Sequence, residues 1–363
     1  MKKLLCALMA ALLLFTMAFP AAALPRSLGV SILRLQFSHG EGPLDETEGI
    51  NADYSWFSPV KGEDDETLYP LVVITPGALE GQKEGEELVE NNFAMWACDE
   101  FQKEFYRAGG AFIMIARAQE DVSLLLNWSS DRMVEPLYAA ITDFCENNPN
   151  VDVSRIYGIG WCQGAKAMIN MEVKHPEVFS AVVLAVQNFE IDDADAAAMA
   201  DSNVWMLGSK MDTLGLYNQY VLPSWNKLKE SAAEGSARMF TTYSKAKDTG
   251  LALQHNVWDD MSYNWDYSPK NNYAKSTVDG EGNKLSISSF IATLSRMGMG
   301  DIEDEEKPLV APLKLICDCG CREYNAVELI VIRLYNRIVT TLAKLLRTTT
   351  YVDCDCESCA AAS

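Results

Sequence analysis

Residues 155–167, Arg-Ile-Tyr-Gly-Ile-Gly-Trp-Cys-Gln-Gly-Ala-Lys-Ala, constrain this chain more than any other segment. An apolar run ends at Gly160, a turn is centred on Cys162, and helix-forming residues begin at Gly164. A strand that turns into a helix within so few residues brings the two backbones together until a Cβ at either flanking position collides. Glycine is therefore required at 160 and 164. In a Gly-x-Ser/Cys-x-Gly turn the central side chain sits in a strained conformation at the carboxyl edge of a parallel sheet, its reactive atom directed away from the scaffold. The N–H of Gln163 then faces any negative charge that develops at residue 162. A buried structural cysteine in an ordinary strand-to-helix turn fits these residues equally well, so the remaining chain has to decide.

Around this segment apolar runs alternate with helical patterns. Residues 30–36 alternate as a strand, residues 54–59 read as a second, antiparallel strand, and residues 62–67 form an acidic turn. Residues 69–75 are apolar throughout and run into Pro76-Gly77-Ala78, the pattern of a buried parallel strand ending in a tight loop. Such a loop is placed to donate a second main-chain N–H to the same edge, here from Ala78. Residues 92–108 read as an amphipathic helix, 110–116 as a strand and 134–147 as a helix. Residues 180–186 and 204–208 read as further strands, and residues 239–244 as the last core strand. Alternation with short connections predicts an α/β fold with a doubly wound, mostly parallel sheet, carried by residues 24–300.

Composition narrows the class. The chain has 363 residues, 48% hydrophobic and 22% charged, enough for one large domain and a small addition. With 30 Lys and Arg against 51 Asp and Glu the net charge is −21, which disfavours nucleic acid as a partner. Residues 1–23 carry two lysines, an apolar run and a small-residue stretch ending at Ala23, the three regions of a secretory signal peptide. The expectation is bacterial export, with an uncleaved anchor as the alternative. Loss of Cys6 with the leader leaves nine of the 10 cysteines. An odd number in an oxidising compartment leaves at least one thiol free or bonded to another molecule, and Cys162 is the natural candidate. Cys98 and Cys145 fall in helical patterns and read as buried thiols, with a mutual bridge as the alternative.

A thiol attacks as thiolate, so it needs a neighbouring imidazole, which in turn needs a carboxylate to hold its tautomer. The chain has three histidines, His39, His175 and His255. His39 precedes the core sheet in a Gly-rich loop, and His175 ends the helix after the turn, where a positive charge meets the helix dipole. His255 follows both the turn and Asp212, and Asp212 closes an apolar run at the carboxyl edge of the sheet. This reproduces the order nucleophile, acid, base. The acidic residues at 190–195 read as a solvated loop rather than a cation site, and neither metal nor cofactor is expected.

Four stretches carry a family resemblance over about residues 68–290: Leu-Val-Val-Ile-Thr-Pro-Gly at 71–77, Asn-Phe-Ala-Met-Trp-Ala at 92–97, Asp-Val-Ser-Arg-Ile-Tyr-Gly-Ile-Gly-Trp-Cys-Gln-Gly at 152–164 and Gln-His-Asn-Val-Trp-Asp at 254–259. The chain resembles the secreted polyhydroxybutyrate-depolymerase-like, feruloyl and acetylxylan esterases of the α/β-hydrolase superfamily. The resemblance implies Cys162 as nucleophile, Asp212 as acid and His255 as base, with Trp258 beside the histidine near the acyl or alcohol pocket. Trp161, preceding the thiol, is the other aromatic assigned to substrate. The family usually carries Ser at the position of Cys162 and His at that of Pro76, whereas a Gly-x-Cys-x-Gly turn is similar to that of dienelactone hydrolases. The expected function is hydrolysis of small acyl or carbohydrate-linked esters through an acyl-thioenzyme. The alternative is a weakened or inactive binding protein at the cell surface.

After an acidic linker at 301–316, residues 317–363 form a cysteine-rich tail. Cys317, Cys319 and Cys321 precede, and Cys354, Cys356 and Cys359 follow, a segment that places Arg333, Arg337, Lys344 and Arg347 on one helical face and Val331, Leu334, Ile338, Leu342 and Leu345 on the other. As one unbroken helix its ~25 residues would span roughly 37 Å and keep the two cysteine clusters apart. Self-association or surface contact through this basic helix is the expectation for the tail, with metal binding by its cysteines as the rival.

Overall fold

The computed structural model describes residues 33–46, 49–62, 64–77, 93–117, 128, 131–212, 217–246, 255, 257, 261–262, 264, 273–299, 313–315, 332–333, 335–337, 339 and 350–352. The leader at 1–23, the acidic linker up to residue 312, Ala78, Trp258 and the six tail cysteines lie outside them. The chain divides into two units, residues 1–300 and 301–363.

The first unit is built on a ten-stranded sheet. Its strands are β1 (Ser38–Glu41), β2 (Asp53–Phe57), β3 (Tyr69–Thr75), β4 (Phe112–Arg117), β5 (Val151–Trp161), β6 (Ala181–Ala185), β7 (Val204–Ser209), β8 (Arg238–Ala246), β9 (Tyr273–Asp279) and β10 (Lys284–Leu285). They lie in the order β1-β2-β4-β3-β5-β6-β7-β8-β9-β10. The run from β4 to β8 is parallel, while β1, β2, β9 and β10 add antiparallel edges. The helices are α1 (Asp99–Gln102), α2 (Val134–Asn147), α3 (Gly164–Lys174), α4 (Asp193–Ala198), α5 (Val221–Glu230) and α6 (Phe290–Leu294). A mostly parallel mixed sheet covered by helices is consistent with the α/β-hydrolase fold.

Burial on both faces explains the uninterrupted apolar strands. In β3, Leu71 and Val73 face one core with Val72 and Ile74 facing the other, and β4 alternates in the same way. The first core is closed by α2, α3 and α5 through Leu137, Phe144, Met168, Val221 and Trp225. The second is closed by Phe93, Trp96, Phe101, Phe105 and the residues of α6.

The structure departs from the sequence pattern in several places. Residues 34–36 form a 3-10 turn rather than a strand: Leu33 and Phe37, a helical spacing apart, are buried while Leu35 is 70% exposed. His39 lies in strand β1 and not in a loop. The helix expected over 92–108 is broken into a 3-10 turn (Phe93–Ala97) and α1. Gln102 bridges the break, donating to the Trp96 carbonyl at 2.7 Å and accepting from the Ala111 N–H at 2.8 Å. β8 is the last strand to contribute buried residues to the two cores, through Met239, Phe240 and Tyr243, and two antiparallel strands of mixed sequence, β9 and β10, extend the sheet beyond it. From Asp193 the acidic stretch is helical. Asp192 caps α4 by accepting from the Asp195 N–H at 2.8 Å, while Asp195 pairs with Lys166 and Asp193 with Lys227. Cys98 and Cys145 are free, and burial pushes their thiols up to about 12 and about 11.

In the second unit, β11 (Leu313–Leu315) and β12 (Thr350–Val352) pair in parallel, with residue 315 opposite residue 352. The chain between them therefore returns on itself, so a helix length does not separate the segments that lead into the two cysteine clusters. Where described, residues 332–339 are helical with Arg333 and Arg337 exposed. Ile332 and Val339 are the buried positions, neither of them on the apolar face expected from sequence. Among the described residues no helix is long and apolar enough to cross a membrane.

At the amino edge of the sheet a buried polar cluster gathers Glu172 of α3, Ser202 before β7 and Arg238 at the start of β8. Arg238 donates to the carbonyls of Leu228 at 3.0 Å and Met199 at 2.8 Å, and the Ser202 hydroxyl donates to Glu172 of α3. Burial outweighs the Ser202 bond and the nearby Arg238 charge and raises Glu172 from 4.5 to about 7. The folded protein thus holds this proton more tightly than the unfolded chain. The Glu172 contribution is complete below about pH 4.5 and is lost as pH rises through 7. Denaturant unfolding at pH 5 and pH 8 is expected to show a stability gap about 1–3 kcal/mol larger in the wild type than in Glu172→Gln.

Candidate active site

The turn after β5 has the strain that its sequence demands. Cys162 has φ +54°, a left-handed value that costs a non-glycine residue of order 1–3 kcal/mol. The conformation is held because the Cys162 N–H donates to the Ala185 carbonyl of β6 at 2.9 Å, while the Cys162 and Gln163 carbonyls accept from Ala165 and Lys166 as α3 begins. A Cβ on Gly160 would strike the Gly164 carbonyl oxygen and stand 2.5 Å from the Ala165 Cα; one on Gly164 would strike the Thr75 carbonyl oxygen and lie 2.6 Å from that of Pro76. The Thr75 hydroxyl, buried at the end of β3, donates to the Gly164 carbonyl at 2.8 Å and clamps the same contact from the other side. Beside the turn, Val186 has φ +43°, a rare value for a buried β-branched residue, and its N–H donates to Leu207 at 2.8 Å.

Asp212 sits in the turn after β7, its N–H donating to the Ser209 carbonyl at 3.2 Å. His255 comes from a segment far away in sequence. Its Nδ1 lies 2.7 Å from Asp212 Oδ2, a carboxylate side chain only 1% exposed. The imidazole also feels the Cys162 side chain, which acts together with Asp212 to raise its pKa. With Nδ1–H given to the carboxylate, Nε2 is the ring atom left for the sulfur. The structure therefore brings Cys162, His255 and Asp212 together. Burial pulls the His255 pKa down, but Asp212 and the Cys162 side chain more than offset it, leaving the ring raised from 6.5 to about 9.

The other two histidines are occupied elsewhere. His39 Nδ1 lies 2.9 Å from the Ser55 hydroxyl. His175 follows the last turn of α3, stacks on Tyr138 at 3.9 Å between ring centroids and pairs with Glu135. Trp161 ends β5 with its ring centroid 5.7 Å from that of His255, and its indole N–H donates to the His255 carbonyl at 3.4 Å. Gln163 is buried and directly precedes α3. Ala78 and Trp258 fall outside the described residues. Sequence reasoning missed Thr75 as a clamp and Trp161 as a main-chain partner of the histidine. Each acts on a residue more than 80 positions away, which leaves no local signal. Among the described residues no group of three or more His, Cys, Asp or Glu side chains is arranged to hold a metal ion.

No protein-family model matches the chain, and no curated protein matches it. Among solved structures it is similar to a thermostable esterase, with 20% identity over 59% of this chain and 56% of that one and a TM-score of 0.48. It is also similar to a ferulic acid esterase, with 14% identity over 54% of this chain and 86% of that one and a TM-score of 0.41. A third similarity is to an acylaminoacyl peptidase of Pyrococcus horikoshii, with 11% identity over 65% of this chain and 42% of that one and a TM-score of 0.43. The chain thus spans little more than half the length of the thermostable esterase.

Two measurements test the geometry without a substrate. Gly164→Ala is expected to lose about 3 kcal/mol or more of stability in denaturant unfolding, because the atoms it meets are main-chain carbonyls that cannot swing aside. In an NMR titration of the three histidines, Cys162→Ala is expected to lower the His255 pKa from about 9 by at least about one unit and to leave His39 and His175 unmoved.

Proposed function

We propose that this protein is an exported carboxylic-ester hydrolase that uses Cys162, His255 and Asp212 as nucleophile, base and acid. The observation that carries the reading is the buried His255–Asp212 pair, 2.7 Å apart, beside a cysteine held at φ +54° whose side chain contributes to the raised pKa of the ring. Four structural roles are filled at once: a strained nucleophile turn, an imidazole, a carboxylate that fixes its tautomer, and a helix N-terminus behind the sulfur. The basis for export is the leader pattern of residues 1–23.

Asp212 and the Cys162 side chain together raise the His255 ring to about 9, which makes the imidazole a good acceptor for the thiol proton. It takes that proton and leaves the thiolate as nucleophile. The thiolate attacks the ester carbonyl, and the Gln163 N–H, with a second N–H from Ala78, stabilises the tetrahedral oxyanion. Collapse breaks the C–O bond as His255 passes its proton to the departing alkoxide, releasing the alcohol and leaving an acyl-thioenzyme. With the sulfur acylated its negative charge is gone, the ring loses one of its two stabilising partners, and the neutral imidazole takes a proton from water. Attack by that water frees the carboxylic acid and restores the ion pair. Substrates are small acyl or carbohydrate-linked esters, with Trp161, next to Cys162 in the chain, offering aromatic surface.

The purified chain is expected to hydrolyse aryl acetates or feruloyl esters, and Cys162→Ala and His255→Ala to lower kcat/KM by a factor on the order of 1,000 or more. Activity that survives Cys162→Ala removes the sulfur from the mechanism, and an inert wild type points to a binding protein. Because the protonated ring serves the leaving group, kcat/KM should hold up to about pH 9 and fall above it, opposite to the rise expected of a neutral-histidine base.

A further inference from the structure

His255 presents a mechanical problem. It lies on neither a strand nor a regular helix, yet its ring has to meet a sulfur in the turn after β5 and a carboxylate after β7. The Asp212 bond restrains the ring at one atom and leaves rotation about that contact free. The main chain must be held independently, and the described residues of this segment show how. Val257 and Met261 are buried in the second core. Two tryptophans from distant elements then donate their indole N–H groups to its backbone: Trp96 to the Met261 carbonyl at 3.2 Å and Trp161 to the His255 carbonyl at 3.4 Å.

Trp161 is the more informative of the two, because it belongs to the nucleophile's own strand and precedes Cys162 directly. It pairs with Ala185, the residue whose carbonyl accepts from the Cys162 N–H. One indole therefore ties the backbone of the base to the strand end that carries the sulfur. Its ring, with centroid 5.7 Å from the imidazole at an interplanar angle of 39°, also limits the tilt of the base.

Resting on the proposed chemistry of this site, we infer that Trp161 is a positioning residue: its indole N–H holds the His255 main chain so that the imidazole stays in register with Cys162. Its part in the site is thus internal as well as substrate-facing. Trp96 anchors the same segment six residues further on, at Met261, through the same type of bond.

Trp161→Phe keeps an aromatic ring and removes the N–H. In the full chain, the rate of Cys162 alkylation by iodoacetamide is read by peptide-resolved mass spectrometry from pH 5 to pH 10, so that other cysteines do not contribute. The expected result for Trp161→Phe is an unchanged circular dichroism spectrum and alkylation at pH 7 slowed about five- to tenfold, as for one lost hydrogen bond. The pH profile should also shift toward that of His255→Ala. Profiles of Trp161→Phe and wild type that superimpose overturn the inference. On p-nitrophenyl acetate kcat should fall with KM unchanged, whereas a rise in KM at constant kcat would mark Trp161 as a substrate contact only and overturn it. A wild type that fails to hydrolyse any ester, while its alkylation profile still differs from that of Trp161→Phe, sinks the esterase reading and supports the positioning role.

Discussion

The contact between the end of β3 and the start of α3 governs the geometry of the site. Main-chain carbonyls of Thr75 and Pro76 press on Gly164 where no Cβ fits, and the Thr75 hydroxyl bonds back to the Gly164 carbonyl at 2.8 Å. With the helix pushed this far onto the sheet, the intervening residues have one way through. The chain passes Cys162 in a left-handed conformation and projects its side chain over the sheet edge. The strain at φ +54° is offset by packing on both faces of β3 and β5, whose central residues are almost wholly buried.

Electrostatics at the edge follow from that placement. The sheet delivers Asp212 from β7, two strands from β5, and closes it off from water until its carboxylate is 1% exposed. A buried carboxylate needs a partner, and His255 is the partner supplied. The same pairing, with the Cys162 side chain beside it, raises the ring from 6.5 to about 9 and makes it a stronger base than a free imidazole. Glu172 at the opposite edge shows the contrasting outcome: burial without a direct ion pair raises its pKa to about 7 and costs stability as the solution becomes alkaline.

Local physics made much of this legible in the amino-acid order. Apolar runs at 69–75 and 112–117 could only be strands buried on both faces, the 134–147 helix has a clean amphipathic period, and the two glycines around Cys162 announced a close backbone approach. Edge strands were harder. β9 pairs with β8 and β10 with β9, pairing that their own composition does not announce, and the 92–108 segment is interrupted at Cys98, where Gln102 bonds to Trp96 and Ala111 across the break. The tail was harder still, since β11 and β12 are three residues each and gain their meaning only from each other.

The sequence by itself determined the α/β class, the strained turn and the chemical types gathered near it, because each depends on interactions within a few residues. Tertiary structure alone decided that the imidazole of residue 255 meets the carboxylate of residue 212 at 2.7 Å and that an indole N–H from residue 161 reaches the histidine's backbone. Those contacts join segments 43 and 94 residues apart. Their distances are set by how deeply the sheet and its covering layers pack, a property of the whole core that no short stretch of chain encodes.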